Sequence, residues 1–258
     1  MTLRNRLGDI RRQLWCTFNR RIVTFGQRGP IVSFTFDDFP RSAYLTAAPI
    51  LESYGARATY YASMALMNTV NKLGEQFHVD DLFSLMERGH EIGTHTFSHI
   101  SARTVNSGAF ARDVERGEQA IHTTTGCPTS GDFAYPYGAV TLATKRRLGR
   151  LLRSSRGTCR GLNGPQVDLN LLRANPLYGD ISTLESAKRL IHNCEKQNSW
   201  LIFYSHDVTK NPSPYGCTPE LLEAVCSFAT GRRVRFLTID ATLSELDQKT
   251  RPNARLSF

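Results

Sequence analysis

Two rhythms of apolar and polar positions alternate along this 258-residue chain. Short, almost continuous apolar runs, such as Ile31-Val32-Ser33-Phe34-Thr35-Phe36 and Trp200-Leu201-Ile202-Phe203-Tyr204, are rich in β-branched and aromatic residues. That composition belongs to strands buried on both faces. Further strands are expected at 57–62, 90–93, 131–135 and 234–239. Helical spacing is expected at 44–54, closed by Gly55, at 80–88, stopped by Gly89, and at 107–124, 140–149, 184–197 and 219–230. Residues 150–182 are less regular: Gly157, Gly161, Gly164 and Pro165 mark an extended loop between two short strands. Strand–helix units repeated without a break in composition predict one α/β domain, a single distorted (β/α) barrel of about seven parallel strands over residues 31–247. No Gly-x-Gly-x-x-Gly follows the first strand, so a dinucleotide-binding fold has no support.

The first 30 residues read differently. Leu3, Leu7, Ile10, Leu14 and Phe18 recur at helical spacing with arginines largely opposite, which predicts a basic amphipathic extension. Its apolar stripe would pack on the barrel or lie on an anionic membrane surface. Seven arginines against Asp9 give this segment +6 of the chain's total of +9, which leaves +3 for the rest. A nearly balanced body makes nucleic acid an unlikely class of partner. No window approaches eighteen uninterrupted apolar residues, and the N-terminus lacks the apolar run of a secretory signal. A cytoplasmic location, peripheral to a membrane at most, is therefore expected, with residues 248–258 a polar tail. The six cysteines show no Cys-x-x-Cys spacing, which excludes a zinc finger and makes reduced thiols the expectation.

Candidate chemistry sits at four predicted strand ends. The first strand closes on Asp37-Asp38, and a buried strand cannot carry two charges, so the pair belongs at its mouth near water, a metal or a cation. A capped turn, Asp-Asp-Phe-Pro, would look the same in isolation. The next stretch, Gly89-His90-Glu91-Ile92-Gly93-Thr94-His95, continues to His99, and one helical turn would put the two imidazoles on one side. In a parallel barrel every strand end reaches the same face. Two imidazoles and a carboxylate then form a three-ligand set for a divalent metal with an open position, zinc by ligand type, with cobalt, nickel or iron as alternatives. Tyr135-Pro136-Tyr137 reads as a sugar-stacking wall, with the Tyr137 N–H aimed into the cleft. His206, closing the strand 200–205, is placed as a general acid.

Taken in order, these stretches resemble the polysaccharide deacetylase family, the family 4 carbohydrate esterases that include the nodulation-factor deacetylase. The similarity rests on Thr35-Phe36-Asp37-Asp38, on His95-Thr96-Phe97-Ser98-His99 with its Gly-His-Glu-Ile-Gly lead-in, and on the aromatic and final His motifs. It implies Asp37 as catalytic base, Asp38, His95 and His99 as metal ligands, the Tyr137 N–H as oxyanion donor and His206 as acid. It also implies a carbohydrate substrate and loss of an N-acetyl group; O-deacetylation and a silent carbohydrate-binding barrel are the alternatives. Ala134 stands where the family usually has an arginine that pairs with the base, so a replacement cation is expected from Arg173, Arg160 or Arg41. Phe39 and Tyr204 also depart from the pattern, where glycine and leucine are usual beside the substrate. Asp168 is a loose equivalent of the acidic motif that otherwise ends in Trp.

Overall fold

The computed structural model describes Trp15 and residues 17–248. The helix expected between Leu3 and Phe18, apart from Trp15, Thr17 and Phe18, lies outside the described residues, as does nearly all of the polar tail. The strands are β1 (Ile22–Thr24), β2 (Ile31–Asp38), β3 (Ala58–Ala62), β4 (Val70–Asn71), β5 (Gly74–Glu75) and β6 (Glu91–Thr94), then β7 (Asp132–Ala134), β8 (Ser154–Arg156), β9 (Gln166–Asp168), β10 (Asn175–Pro176), β11 (Trp200–Ser205) and β12 (Arg235–Phe236). The helices are α1 (Ala48–Ser53), α2 (Val79–Glu87), α3 (Ser107–Thr125), α4 (Leu142–Leu148), α5 (Leu184–Gln197), α6 (Pro219–Thr230) and α7 (Ile239–Gln248).

Seven parallel strands run in the order β10-β11-β2-β3-β6-β7-β8, and short β12 also lies beside β2. β2 is buried along its whole length because both of its faces are covered. Val32, Phe34 and Phe36 face the outer helices, packing with Leu51, Leu85, Ile191 and Leu222. The intervening residues face the barrel interior, where Ile31 joins Tyr61, Ala134, Trp200 and Tyr204. Polar groups on that inner line are satisfied: the Trp200 indole donates to Ser33 Oγ at 2.8 Å, and Thr35 Oγ1 donates to the Phe203 carbonyl at 2.9 Å. The period of two then delivers Asp37 inward at the top of the strand.

Register brings the remaining ends to the same level. Asp38 lies opposite Ala62, Ala62 opposite Thr94, and Ala134 opposite Arg156. The sheet remains open between β8 and β10. A single bridge, Arg156 to Leu172, and the antiparallel β1–β9 ribbon cover that side.

Two expectations change. The last strand, expected over 234–239, shrinks to Arg235–Phe236, and Ile239 opens α7. Ile239, Leu243 and Leu246 of that helix are buried in the same cluster as Ile31 and Trp200, so apolar packing holds a segment for which no helix was expected. At the other end, β1 pairs with β9 and Phe25 is fully buried, although both lie within the stretch read as an extension. Buried Lys145 donates to the carbonyls of Trp15 and Phe18, at 2.9 and 2.8 Å, and to Asp168 at 2.7 Å. Asp168 thus belongs to a buried ion pair and is absent from the cleft lining. Cys127, Cys194, Cys217 and Cys226 are free thiols.

Candidate active site and metal centre

The strand ends surround a cleft of about 530 Å³ lined by Asp37, Asp38, His95, His99, Tyr137 and His206, with Tyr178, Tyr204 and Tyr215 along one wall and the β4–β5 hairpin above. Asp38, His95 and His99 present ligand atoms that all lie within 4.8 Å of one another. Asp38 Oδ1 is 2.8 Å from His99 Nε2 and 3.5 Å from His95 Nε2. The backbone shapes this cluster. Residues 95–99 do not form the helical turn expected from their spacing. Thr96 and His99 instead adopt left-handed φ values of 61° and 52°, and Asp38 one of 62°. α3 rests directly on that turn through Gly117, where a Cβ would come within 2.6 Å of Thr94 Oγ1 and 3.0 Å of the Thr96 carbonyl carbon.

The donor set fits a divalent cation. Nδ1 of His95 lies 2.7 Å from the Ala134 carbonyl oxygen, which can only accept, so Nδ1 carries the proton and Nε2 presents its lone pair to the cluster. Burial lowers His95 to about 4 against the pull of Asp37 and Asp38, which keeps the ring neutral and able to ligate. Burial alone would raise Asp38, but His99 and His95 outweigh it and hold the carboxyl at about 2. Its Oδ1 is buried without a hydrogen bond of proper geometry, the signature of an acceptor meant for something other than a proton donor.

Asp37 is buried beside this cluster and accepts from Nη2 of Arg156. Arg156 is itself fully buried, and its guanidinium lies 5.1 Å from the Tyr61 ring and 5.2 Å from the Tyr204 ring. Charge pairing and two aromatic faces thus hold one cation against one carboxylate.

Residues 26–151 match the family model for polysaccharide deacetylase. Over that segment the chain is similar to the polysaccharide deacetylase family. A putative polysaccharide deacetylase from Mycobacterium smegmatis superposes with a TM-score of 0.60 at 13% identity, over 89% of this chain and 95% of that one. The Xyl-CE4 domain of a multidomain xylanase from the hindgut metagenome of Trinervitermes trinervoides gives 0.58 at 18% identity, over 90% and 96%. A family 4 acetyl xylan esterase from Clostridium thermocellum, in complex with a cobalt ion, gives 0.56 at 21%, over 86% and 93%. These likenesses establish the shared barrel. A search of curated proteins returns no match.

Within this barrel the cation that pairs with Asp37 comes from β8, and none of the three expected arginines supplies it. Arg41 binds Asp81 at 2.9 Å, Arg173 donates to the Arg160 carbonyl at 2.9 Å, and Arg160 is exposed. Arg156 was the missed residue; Ser154-Ser155-Arg156 lies in an irregular region where no pattern marked a strand end.

The expected substrate wall is also redrawn. Phe39 is fully buried, with ring centroids 4.7 Å from Phe77 and 5.0 Å from Tyr60. Tyr135 is buried against Phe110 and Phe133, and Pro136 is buried outside the cleft. Tyr137 alone of its motif reaches the opening: it is 70% exposed, and its ring lies 4.6 Å from that of His99. The opposite wall is Tyr178, Tyr204 and Tyr215, of which only Tyr204 stood out in the sequence. Gly138 allows Thr158 to approach so closely that any Cβ would collide with it.

Proposed function

We propose that the chain is a metal-dependent hydrolase that removes acetyl groups from N-acetylated amino sugars in an oligosaccharide, polysaccharide or lipid-linked glycan. The observation that carries this reading is the Asp38–His95–His99 cluster set beside the Asp37–Arg156 pair in an aromatic-walled cleft. Asp38, His95 and His99 would hold the cation, zinc by ligand type, although an imidazole pair with one carboxylate also suits cobalt, nickel or iron. Bound there, it supplies positive charge to the acetyl carbonyl oxygen and to an attacking water.

The chain's own residues divide the remaining work. Asp37, held in place by Arg156, takes the proton of the attacking water. The Tyr137 N–H faces the developing oxyanion, a type of donor worth about 3 kcal/mol on removal. His206 protonates the departing amine. Tyr137 on one side and Tyr178 and Tyr215 on the other offer aromatic faces to sugar rings. Metal content measured together with turnover of chito-oligosaccharides and of p-nitrophenyl acetate tests the whole reading. Metal-dependent release of acetate from the oligosaccharide supports it. Turnover confined to acetate esters would replace it with O-deacetylation, and binding without turnover would leave a carbohydrate-binding barrel.

A further inference from the structure

We infer that the loop 207–217 is built to hold His206 in a single tautomer, with Asp207, Ser213 and Gly216 as positioning residues; this rests on the proposed role of His206 as the acid. Nδ1 of His206 lies 3.1 Å from the backbone carbonyl oxygen of Tyr215. A carbonyl oxygen only accepts, so Nδ1 keeps its proton whether the ring is neutral or cationic. The proton that is given away therefore resides on Nε2. No carboxylate among the described residues hydrogen-bonds this ring, so its orientation depends on where one peptide carbonyl is placed.

That placement traces back to Asp207. Its buried carboxylate accepts from the Ser213 N–H at 2.7 Å and from the Ser213 hydroxyl at 2.5 Å. Ser213 Oγ in turn accepts from the Tyr215 N–H at 3.2 Å, and the Ser213 carbonyl accepts from Gly216 N at 3.1 Å. The Asp207 carbonyl closes the loop by accepting from Cys217 N at 3.0 Å. A Cβ on residue 216 would lie 2.4 Å from both Asp207 O and Oδ1, so only glycine lets the chain fold this tightly onto the carboxylate. The carboxylate thus anchors Ser213, Ser213 anchors Tyr215 and Gly216, and the Tyr215 carbonyl between them points at the imidazole. The ring is further flanked by Tyr215 and Tyr178, at centroid distances of 5.8 and 6.1 Å.

The step it serves balances simply. As the C–N bond of the tetrahedral species breaks, its electron pair passes to nitrogen, and nitrogen takes the Nε2 proton. The ring is left neutral with Nδ1–H still bound to the Tyr215 carbonyl. A leaving group that departs readily as an anion, such as p-nitrophenolate, does not need this proton.

The test combines a spectroscopic and a kinetic readout on the zinc-loaded full chain. Nitrogen-15 NMR, with His206→Asn used to assign the signal, should find neutral His206 only as the Nδ1–H tautomer. Ser213→Ala and Asp207→Asn should introduce the Nε2–H tautomer. Both should also lower kcat on an N-acetylated chito-oligosaccharide roughly tenfold, with metal content unchanged and p-nitrophenyl acetate turnover within about twofold. Should Asp207→Asn not fold, Ser213→Ala, which deletes one hydroxyl, still decides the question. An Nε2–H tautomer in the wild-type protein, or an equal loss on amide and ester in Ser213→Ala, overturns the inference. If His206→Asn itself leaves the amide-to-ester ratio unchanged, the acid assignment is what fails, and the tautomer measurement separates the two failures.

Discussion

Ala134 and Arg156 face each other as register partners on adjacent parallel strands, and the guanidinium that holds Asp37 comes from the second of them. The side chain that the family pattern places at 134 is carried here one strand over, at the same height in the barrel. Tyr204, which departs from the same pattern, lies over that guanidinium together with Tyr61. The two departures are therefore parts of one arrangement: a cation moved sideways needs a new surface to rest on.

Removing Arg156 should be costly in two separate ways. Arg156→Ala leaves Asp37 buried without its ion pair, an omission that costs about 3–5 kcal/mol in comparable buried pairs. Urea denaturation should register that loss. The rate should fall at least about tenfold with metal content retained. Adding Ala134→Arg to Arg156→Ala should recover part of the rate, because it returns the charge to the neighbouring strand. A double variant no better than Arg156→Ala would show that Arg156 acts through packing alone.

Tyr204→Leu should weaken the hold on Arg156 by about 0.5–2 kcal/mol, the range for a desolvated cation–π contact. The effect should vanish when Arg156 is already alanine. A double-mutant cycle in stability measures this coupling, and additive losses would mean that Tyr204 and Arg156 act independently.

For the metal centre, His95→Ala and His99→Ala should each reduce bound metal well below one equivalent and abolish turnover while the far-ultraviolet spectrum stays close to that of the wild type. Atomic absorption after dialysis reads the outcome. Stoichiometric metal in both variants would remove these residues from the ligand set.

Asp132, which does not line the cleft, predicts a pH dependence of its own. Burial, reinforced by Glu91, raises its carboxyl well above the usual range. Its Oδ1 accepts from Ser154 at 2.7 Å, whereas Oδ2 is buried without a partner. A group with a raised folded-state pKa keeps its proton at pH values where the unfolded chain, at about 3.9, has lost it. Its contribution is therefore full in acid and declines as pH rises from there toward the folded-state value. Asp132→Asn should flatten that decline, measured as the urea midpoint against pH; an unchanged slope would place the dependence elsewhere.

Truncation should expose a boundary near residue 20. Lys145, buried, depends on the Trp15 and Phe18 carbonyls and on Asp168. Deleting residues 1–20 removes both carbonyl partners and should lower stability by roughly 1–3 kcal/mol for the unsatisfied ammonium. Deleting residues 1–13 should spare this contact. Equal melting temperatures for the two truncations would show that Lys145 finds other partners.

The Asp38–His95–His99 cluster was legible because its residues announce themselves: paired carboxylates closing an apolar run, and two histidines in a glycine-flanked stretch. Parallel topology then brought them together without any knowledge of side-chain packing. Arg156 was not legible, since an arginine after two serines in an irregular region carries no local sign that two rings and a carboxylate await it. Phe39 and Tyr135 misled for the opposite reason. Their position beside functional residues suggested contact with substrate, but a strand or turn that leaves the barrel mouth buries alternate side chains again. The helix Ile239–Gln248 depended on tertiary burial of Ile239, Leu243 and Leu246, a cause that the short apolar run before it concealed.

Five non-glycine residues around the cleft, Asp38, Phe39, Thr96, His99 and Tyr137, have φ between 52° and 63°. Each such conformation costs an L-residue about 1–2 kcal/mol. The interior packing of the rest of the barrel has to outweigh that sum continuously. Heat tolerance and activity are thus set against each other at these positions. A substitution that relaxes the backbone at a cluster position, asparagine at 38 for example, is one that a laboratory selection for thermal resistance alone would collect, and it would weaken the Asp38–His95–His99 cluster in doing so.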